Sequence, residues 1–123
     1  MVRAREHAEQ CLEAAARTTS RKNLVKGWRL TGEIATAARR WDDAEAALRQ
    51  ALAIAERIGN PPQLWQTHAA LARLHAARGR SADTHAARAA ARAVLERTKA
   101  ALPDDALRAA FERAPAIRRV YLA

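Results

Sequence analysis

The sequence predicts an all-α chain of antiparallel helix hairpins stacked as a solenoid, with about five main helices and one or two short ones at the C-terminal end. Three observations carry that prediction. Half of the 123 residues are hydrophobic but only 4% are aromatic, and Ala, Leu, Arg, Glu and Gln dominate over four Gly and four Pro. Such a composition has high helix propensity throughout and suits a thin core of closely packed helices. Helix start and stop signals recur along the chain. Those signals, and the apolar positions between them, repeat at an offset of forty residues.

The clearest boundary is Gly59-Asn60-Pro61-Pro62-Gln63. Here Gly59 suits a left-handed helix end, Asn60 an N-cap, Pro61 the first helical residue and Gln63 a reciprocal cap. Forty residues earlier the same places hold Thr19-Ser20-Arg21-Lys22-Asn23, with Ser20 as the expected cap. Asp42 with Glu45 is expected to form a capping box after Arg40-Trp41, and Ser81 to cap a helix after Gly79-Arg80. The spacing therefore predicts a single domain over 1–123: a half repeat at 2–18, a repeat at 22–58 (helices 22–39 and 42–58), a second repeat at 61–101 (helices 61–78 and 82–101), and a C-terminal capping helix or turn at 104–122. Pro103 and Pro115 mark the starts of the last two elements.

The forty-residue shift superposes Trp28 on His68, Gly32 on Ala72, Ile34 on Leu74, Ala47 on Ala87, Ala51 on Ala91 and Ile54 on Val94. Shifting the other way places Ala4, Ala8, Cys11, Leu12 and Ala15 under Ala44, Leu48, Ala51, Leu52 and Ala55. In the middle copy, Ala44, Ala47, Leu48, Ala51, Leu52, Ala55 and Ile58 step by three and four, the stripe of a helix buried on one side. Glu45, Arg49, Gln50, Glu56 and Arg57 fall on the other side.

Around these positions the chain resembles a tetratricopeptide repeat in its longer form of about forty residues. Trp28, Gly32, Trp41, Ala44, Leu48 and Ala51 fill the pattern's large and small slots. The resemblance implies that Gly32 lets two helices approach, with Trp28 and Trp41 filling the space beside them. The next copy is degenerate, with His68, Ala72, Ser81, Thr84, Arg88 and Ala91 in those slots. The stretches 20–28 and 59–65, with Leu107–Phe111, Pro115 and Val120-Tyr121, are similar to C-terminal repeat regions of large bacterial regulators carrying a signalling ATPase, sometimes with a cyclase or DNA-binding domain. The likeness implies a tail of such a regulator, or a short relative that keeps its interaction region.

The family's geometry places the first helices of successive repeats on a concave surface that holds a peptide. It thereby selects Lys26, Arg29, Glu33, Gln66 and Arg73 as a partner-binding groove. Their three basic groups suit an acidic protein or peptide, since Arg binds carboxylates bidentately. Net charge is +9, from 22 basic and 13 acidic residues, and nucleic-acid binding is the alternative reading. Nineteen of the 22 are Arg, interspersed with acids rather than collected in the block of a nucleic-acid arm, which reads as a solvated basic outer face.

No catalytic constellation is expected. A phosphate-binding glycine loop, a nucleophile elbow and an HExxH motif are all missing from the sequence, and no cofactor or metal is implied. His68 and His75 share one helix side with His85 on the next helix, but no Cys or acid accompanies them at ligand spacing, so packing is the expected role. Asp42-Asp43 and Asp104-Asp105 each begin a helix, where the macrodipole favours acids. The single cysteine, Cys11, is expected as a small buried residue. The first residues contain no basic-then-apolar targeting pattern, and the composition fits a cytoplasmic chain without a membrane span. The helix at 2–18 lacks its repeat partner, which leaves open docking as a cap, a homo-oligomer through that helix, or membership of a longer protein.

Overall fold

The structure is a computed structural model that describes the backbone of residues 2–122 and the side chains of residues 20–121. Six helices make up its described part: α1 (Val2–Ala37), α2 (Trp41–Ile58), α3 (Pro61–Ala77), α4 (Ser81–Ala100), α5 (Asp105–Arg113) and α6 (Pro115–Leu122). The architecture is all-α. Ala35 clusters with Ala44, while Val25 clusters with Ala51 and Ala55, so α1 and α2 run antiparallel. A second hairpin, α3–α4, packs against the first through Ala70, Leu71 and Leu74, which join Ala44 and Leu48 in one buried cluster.

The forty-residue repeat reaches down to individual backbone hydrogen bonds. At the end of α1, Arg39 N–H donates to Thr36 O at 3.1 Å and Arg40 N–H to Ala35 O at 2.9 Å; at the end of α3, Gly79 donates to Ala76 O at 3.1 Å and Arg80 to His75 O at 2.9 Å. Both are Schellman turns around a left-handed residue, Arg39 at φ 60° and Gly79 at φ 75°. Between the hairpins the chain turns differently. Gly59, at φ 61°, donates to Ala55 O, and Asn60 caps α3 by accepting from Gln63 N–H at 3.2 Å, with Pro61 as first helical residue.

Four boundary expectations are corrected. No break separates 2–18 from 22–39, because α1 runs through Ser20 without interruption. Ser20 matches Asn60 as a cap type, yet Thr19 stands where Gly59 turns the chain and Arg21 where Pro61 blocks continuation. Without a left-handed glycine or a proline, good helix formers carry on. Asp42 and Ser81 are not N-caps either. Each helix starts one residue earlier, with Ala44 N–H bonded to Arg40 O and Thr84 N–H to Arg80 O, both at 2.9 Å. Asp42 and Asp43 sit in the first turn of α2, and Glu45 faces Arg49 and Arg78 instead of reaching back. Gln63 likewise gives no reciprocal cap, since its side-chain oxygen accepts from Arg29. The readings of Ala4, Ala8, Cys11, Leu12 and Ala15 lie outside the described side chains.

The predicted stripe of α2 is the centre of the core. Ala44, Leu48, Ala51 and Ala55 are fully buried and Ala47 nearly so, while Leu52 and Ile58 are half-buried. Gly32 is the close-approach point of the first hairpin: a Cβ there would lie 2.5 Å from Leu48 Cγ and 3.3 Å from Ala44 O. Trp41 packs beside this cluster, but Trp28 does not fill the crossing as expected. It is 39% exposed, more open than a residue enclosed in the crossing would be.

At the other end, α5 and α6 close the stack. Asp104 caps α5 by accepting from Leu107 N–H at 2.8 Å, and Ile117 and Val120 of α6 bury against Ala91 and Leu95 of α4. Arg92 donates to Tyr121 O at 2.9 Å and its guanidinium stands 5.7 Å from the Tyr121 ring centre. The Tyr121 hydroxyl donates to Glu96, and Lys99 pairs with Glu112.

Burial first, and the hydrogen bond to Glu96 next, push the Tyr121 phenol up to about 12, with Arg92 opposing. The folded state therefore favours the neutral phenol. Its contribution to holding α6 is complete below the unfolded value of about 10 and is lost as pH rises from there through about 12. Tyr121 is the chain's only tyrosine, so its tyrosinate absorbance reports this site alone. The expected midpoint is about 12, moving down in Glu96→Gln; an ordinary midpoint unaffected by that substitution would contradict the arrangement.

Candidate functional site: a basic groove on the inner helix faces

The helices that open the two hairpins present a common surface. On α3, Trp65, Ala69, Ala72 and Ala76 step by four, three and four, forming a stripe separate from the core residues Thr67, Ala70, Leu71 and Leu74. Beside it, α1 contributes Arg29 and Glu33, α4 contributes Arg88 and Ala91, and α6 contributes Ala116, Arg119 and Val120. Together with Gln66 and Arg73 these residues line a cavity of about 540 Å³. Small side chains on α3 make its floor shallow and apolar.

Charged groups form its rim. Four guanidinium groups, of Arg29, Arg73, Arg88 and Arg119, and one carboxylate, Glu33, line it. Arg29 donates to Gln63 Oε1 at 2.6 Å and stands 3.9 Å from Glu33. Glu33 also lies 3.3 Å from Arg73, so it bridges the two hairpins between two cations. Burial lowers the Arg29 guanidinium from its usual range, Glu33 opposes that shift and Arg73 adds to it. Arg88 and Arg119 have no ion-pair partner among the described residues.

Of the five residues singled out from the sequence, Arg29, Glu33, Gln66 and Arg73 border this cavity, while Lys26 is exposed and does not. Arg29 is also structural, since its side chain is only 13% exposed and ties α1 to α3 through Gln63. Sequence reasoning missed the α3 stripe, Arg88 and the α6 residues. Two signals pointed there. Trp65, Ala69, Ala72 and Ala76 make α3 apolar on a second side, and Arg88 occupies the slot of Leu48 one repeat later, where an apolar residue was expected.

The histidines are dispersed. His68 is half-buried, and burial lowers it from the usual histidine range against the opposing charge of Glu56. His75 is buried in the Ala35 slot, its Nδ1 without a hydrogen-bond partner among the described residues. His85 is exposed. Among the described residues, no three His, Cys, Asp or Glu side chains converge as a metal site would require. No described helix is long and apolar enough to cross a membrane. No protein-family model, curated protein or solved structure matches the chain.

Proposed function

We propose that this chain is a non-catalytic interaction module of tetratricopeptide type that holds an acidic segment of a partner protein between α1, α3, α4 and α6, as a scaffold within a larger signalling regulator. One observation carries the reading. An alanine-floored cavity is rimmed by four arginines and one carboxylate, and two of those arginines have no partner among the described residues. A ligand that fits has small or aliphatic side chains for the floor and carboxylates for the rim. Bidentate carboxylate binding by Arg88 or Arg119 would give such a complex orientation as well as affinity.

The test is fluorescence anisotropy with labelled acidic, amphipathic peptides against the full chain. Arg88→Glu and Arg119→Glu are each expected to weaken binding roughly tenfold or more, since a lost charge-assisted hydrogen bond is worth about 1.5–3 kcal/mol. Both residues reach solvent, so both variants should keep the helical circular dichroism of the parent. Equal affinity of both variants and wild type would remove the groove. The +9 charge makes duplex DNA the control ligand. Tight DNA binding whose affinity falls steeply with salt, unaffected by the two substitutions, would assign the charge to nucleic acid instead.

A further inference from the structure

Beyond the groove, we propose that the outer face of α1 is a docking site for an acidic amphipathic helix that stacks on it as α2 stacks on α3. The face carries Leu24, Gly27, Trp28, Leu30, Thr31 and Ile34. Leu24 is 51% exposed, Leu30 58% and Ile34 55%, an unusual density of open aliphatic groups on one helix. Ser20, Asn23, Leu24, Gly27, Trp28 and Thr31 line a shallow groove of about 580 Å³ along it.

The internal repeat says what covers such a face. Forty residues later, Leu24, Leu30, Thr31 and Ile34 become Leu64, Ala70, Leu71 and Leu74. Those α3 residues are packed against α2: Leu64 joins the cluster of Ala51 and Ala55, and Ala70, Leu71 and Leu74 join that of Ala44 and Leu48. Trp28 becomes His68, which burial and the charge of Glu56 on α2 both influence. At the far end, the equivalent stripe of α4 is already covered, because Ile117 and Val120 of α6 lie on Ala91 and Leu95. One end of the stack is therefore closed, while the described α1 face at the other end is open. Repeat arrays stay soluble by giving their terminal faces polar surfaces, and this one is apolar.

Charge selects the occupant. Arg21 and Lys26 flank the face on the helix, and Glu33, the one acid of α1 between residues 20 and 37, is engaged by Arg73 in the groove. A second copy of a +9 chain would bring like charges together. The helix that fits has Ala or Leu at the spacing of Ala44, Leu48, Ala51 and Ala55, with acids on its flanks. Segment 41–58 is such a helix, with four acids against two arginines.

The probe is accordingly a synthetic peptide of residues 41–58, stapled between positions 46 and 50, which are exposed in the protein, so that helix formation does not limit binding. Titrated into the isotope-labelled full chain, it is expected to bind and to shift the assigned Trp28 indole N–H resonance, with Leu30→Glu and Ile34→Glu each weakening it roughly tenfold or more. The Trp65 indole resonance, inside the groove, reports any binding there separately, which distinguishes failure of this proposal from failure of the groove. Absence of a Trp28 shift at millimolar peptide, or equal Trp28 titration in both α1 variants and the parent, would overturn the proposal. So would sedimentation showing a concentration-dependent dimer that Leu30→Glu dissociates, since the face would then belong to a second copy.

Discussion

Leu48→Ala is expected to lower stability by about 2–5 kcal/mol, the range for emptying a leucine-sized site in a packed core. Leu48 is fully buried on α2 and belongs to the cluster that joins α1, α2 and α3 through Ala35, Ala44, Ala70, Leu71 and Leu74. Half of its neighbours in the cluster are alanines, whose side chains have no rotamers with which to fill a vacated space. The loss should therefore fall toward the upper part of the range. In a domain held by about 5–15 kcal/mol, that is a large share of the total. Urea unfolding followed by circular dichroism measures it; a loss below about 1 kcal/mol would mean that the hairpins do not meet at this residue.

Gly32→Ala should also destabilise, although alanine is the better helix former by about 1 kcal/mol. The added methyl would stand 2.5 Å from Leu48 Cγ, 2.6 Å from Leu48 Cδ2 and 3.3 Å from Ala44 O. Overpacking of this kind typically costs about 1–3 kcal/mol, because the leucine is enclosed and its Cγ moves only with the whole side chain. The informative experiment is the double-mutant cycle. In a Leu48→Ala background the obstacle is gone, so Gly32→Ala is expected to become neutral or mildly stabilising as the helix propensity emerges. Additive effects of the two substitutions would show that the close approach lies elsewhere.

The sequence reading succeeded where a residue type has one physical use and faltered where it has several. Gly59, Asn60 and Pro61 each act at the α2–α3 turn as read, because left-handed backbone, capping and a fixed φ are narrow roles. The α2 stripe was legible for a similar reason: alternating threes and fours of small apolar residues have little meaning outside a packed helix. Ser20 shows the opposite case. Serine is acceptable inside a helix as well as before one, so a cap residue without its flanking glycine or proline did not define a boundary, and α1 runs on to Ala37. The turn at Arg39 was harder still, since nothing about an arginine advertises φ 60°. Only the forty-residue correspondence with Gly79 points to it.

The groove was half legible. Arg29, Glu33, Gln66 and Arg73 followed from the face shared by the first helices of the two repeats, whereas Lys26 stands outside it. Arg88 and Arg119 come from α4 and α6, and their convergence depends on how α6 folds back over Ala91 and Leu95. Repeat periodicity carries no information about that, because residues 104–122 lie outside the repeat. Trp28 was misplaced for a related reason. A large apolar residue in a repeat slot is buried only if the neighbouring repeat that covers the slot is there, as α2 is for His68.

Backbone amide chemical-shift mapping during titration with an acidic peptide tests most directly whether an acidic segment binds in the groove. Saturable shifts are expected at Arg29, Glu33, Ala69, Arg73, Arg88 and Arg119, on all four elements that line the cavity. Shifts confined to the dispersed outer arginines, such as Arg49, Arg57 and Arg97, or none that saturate, would contradict it.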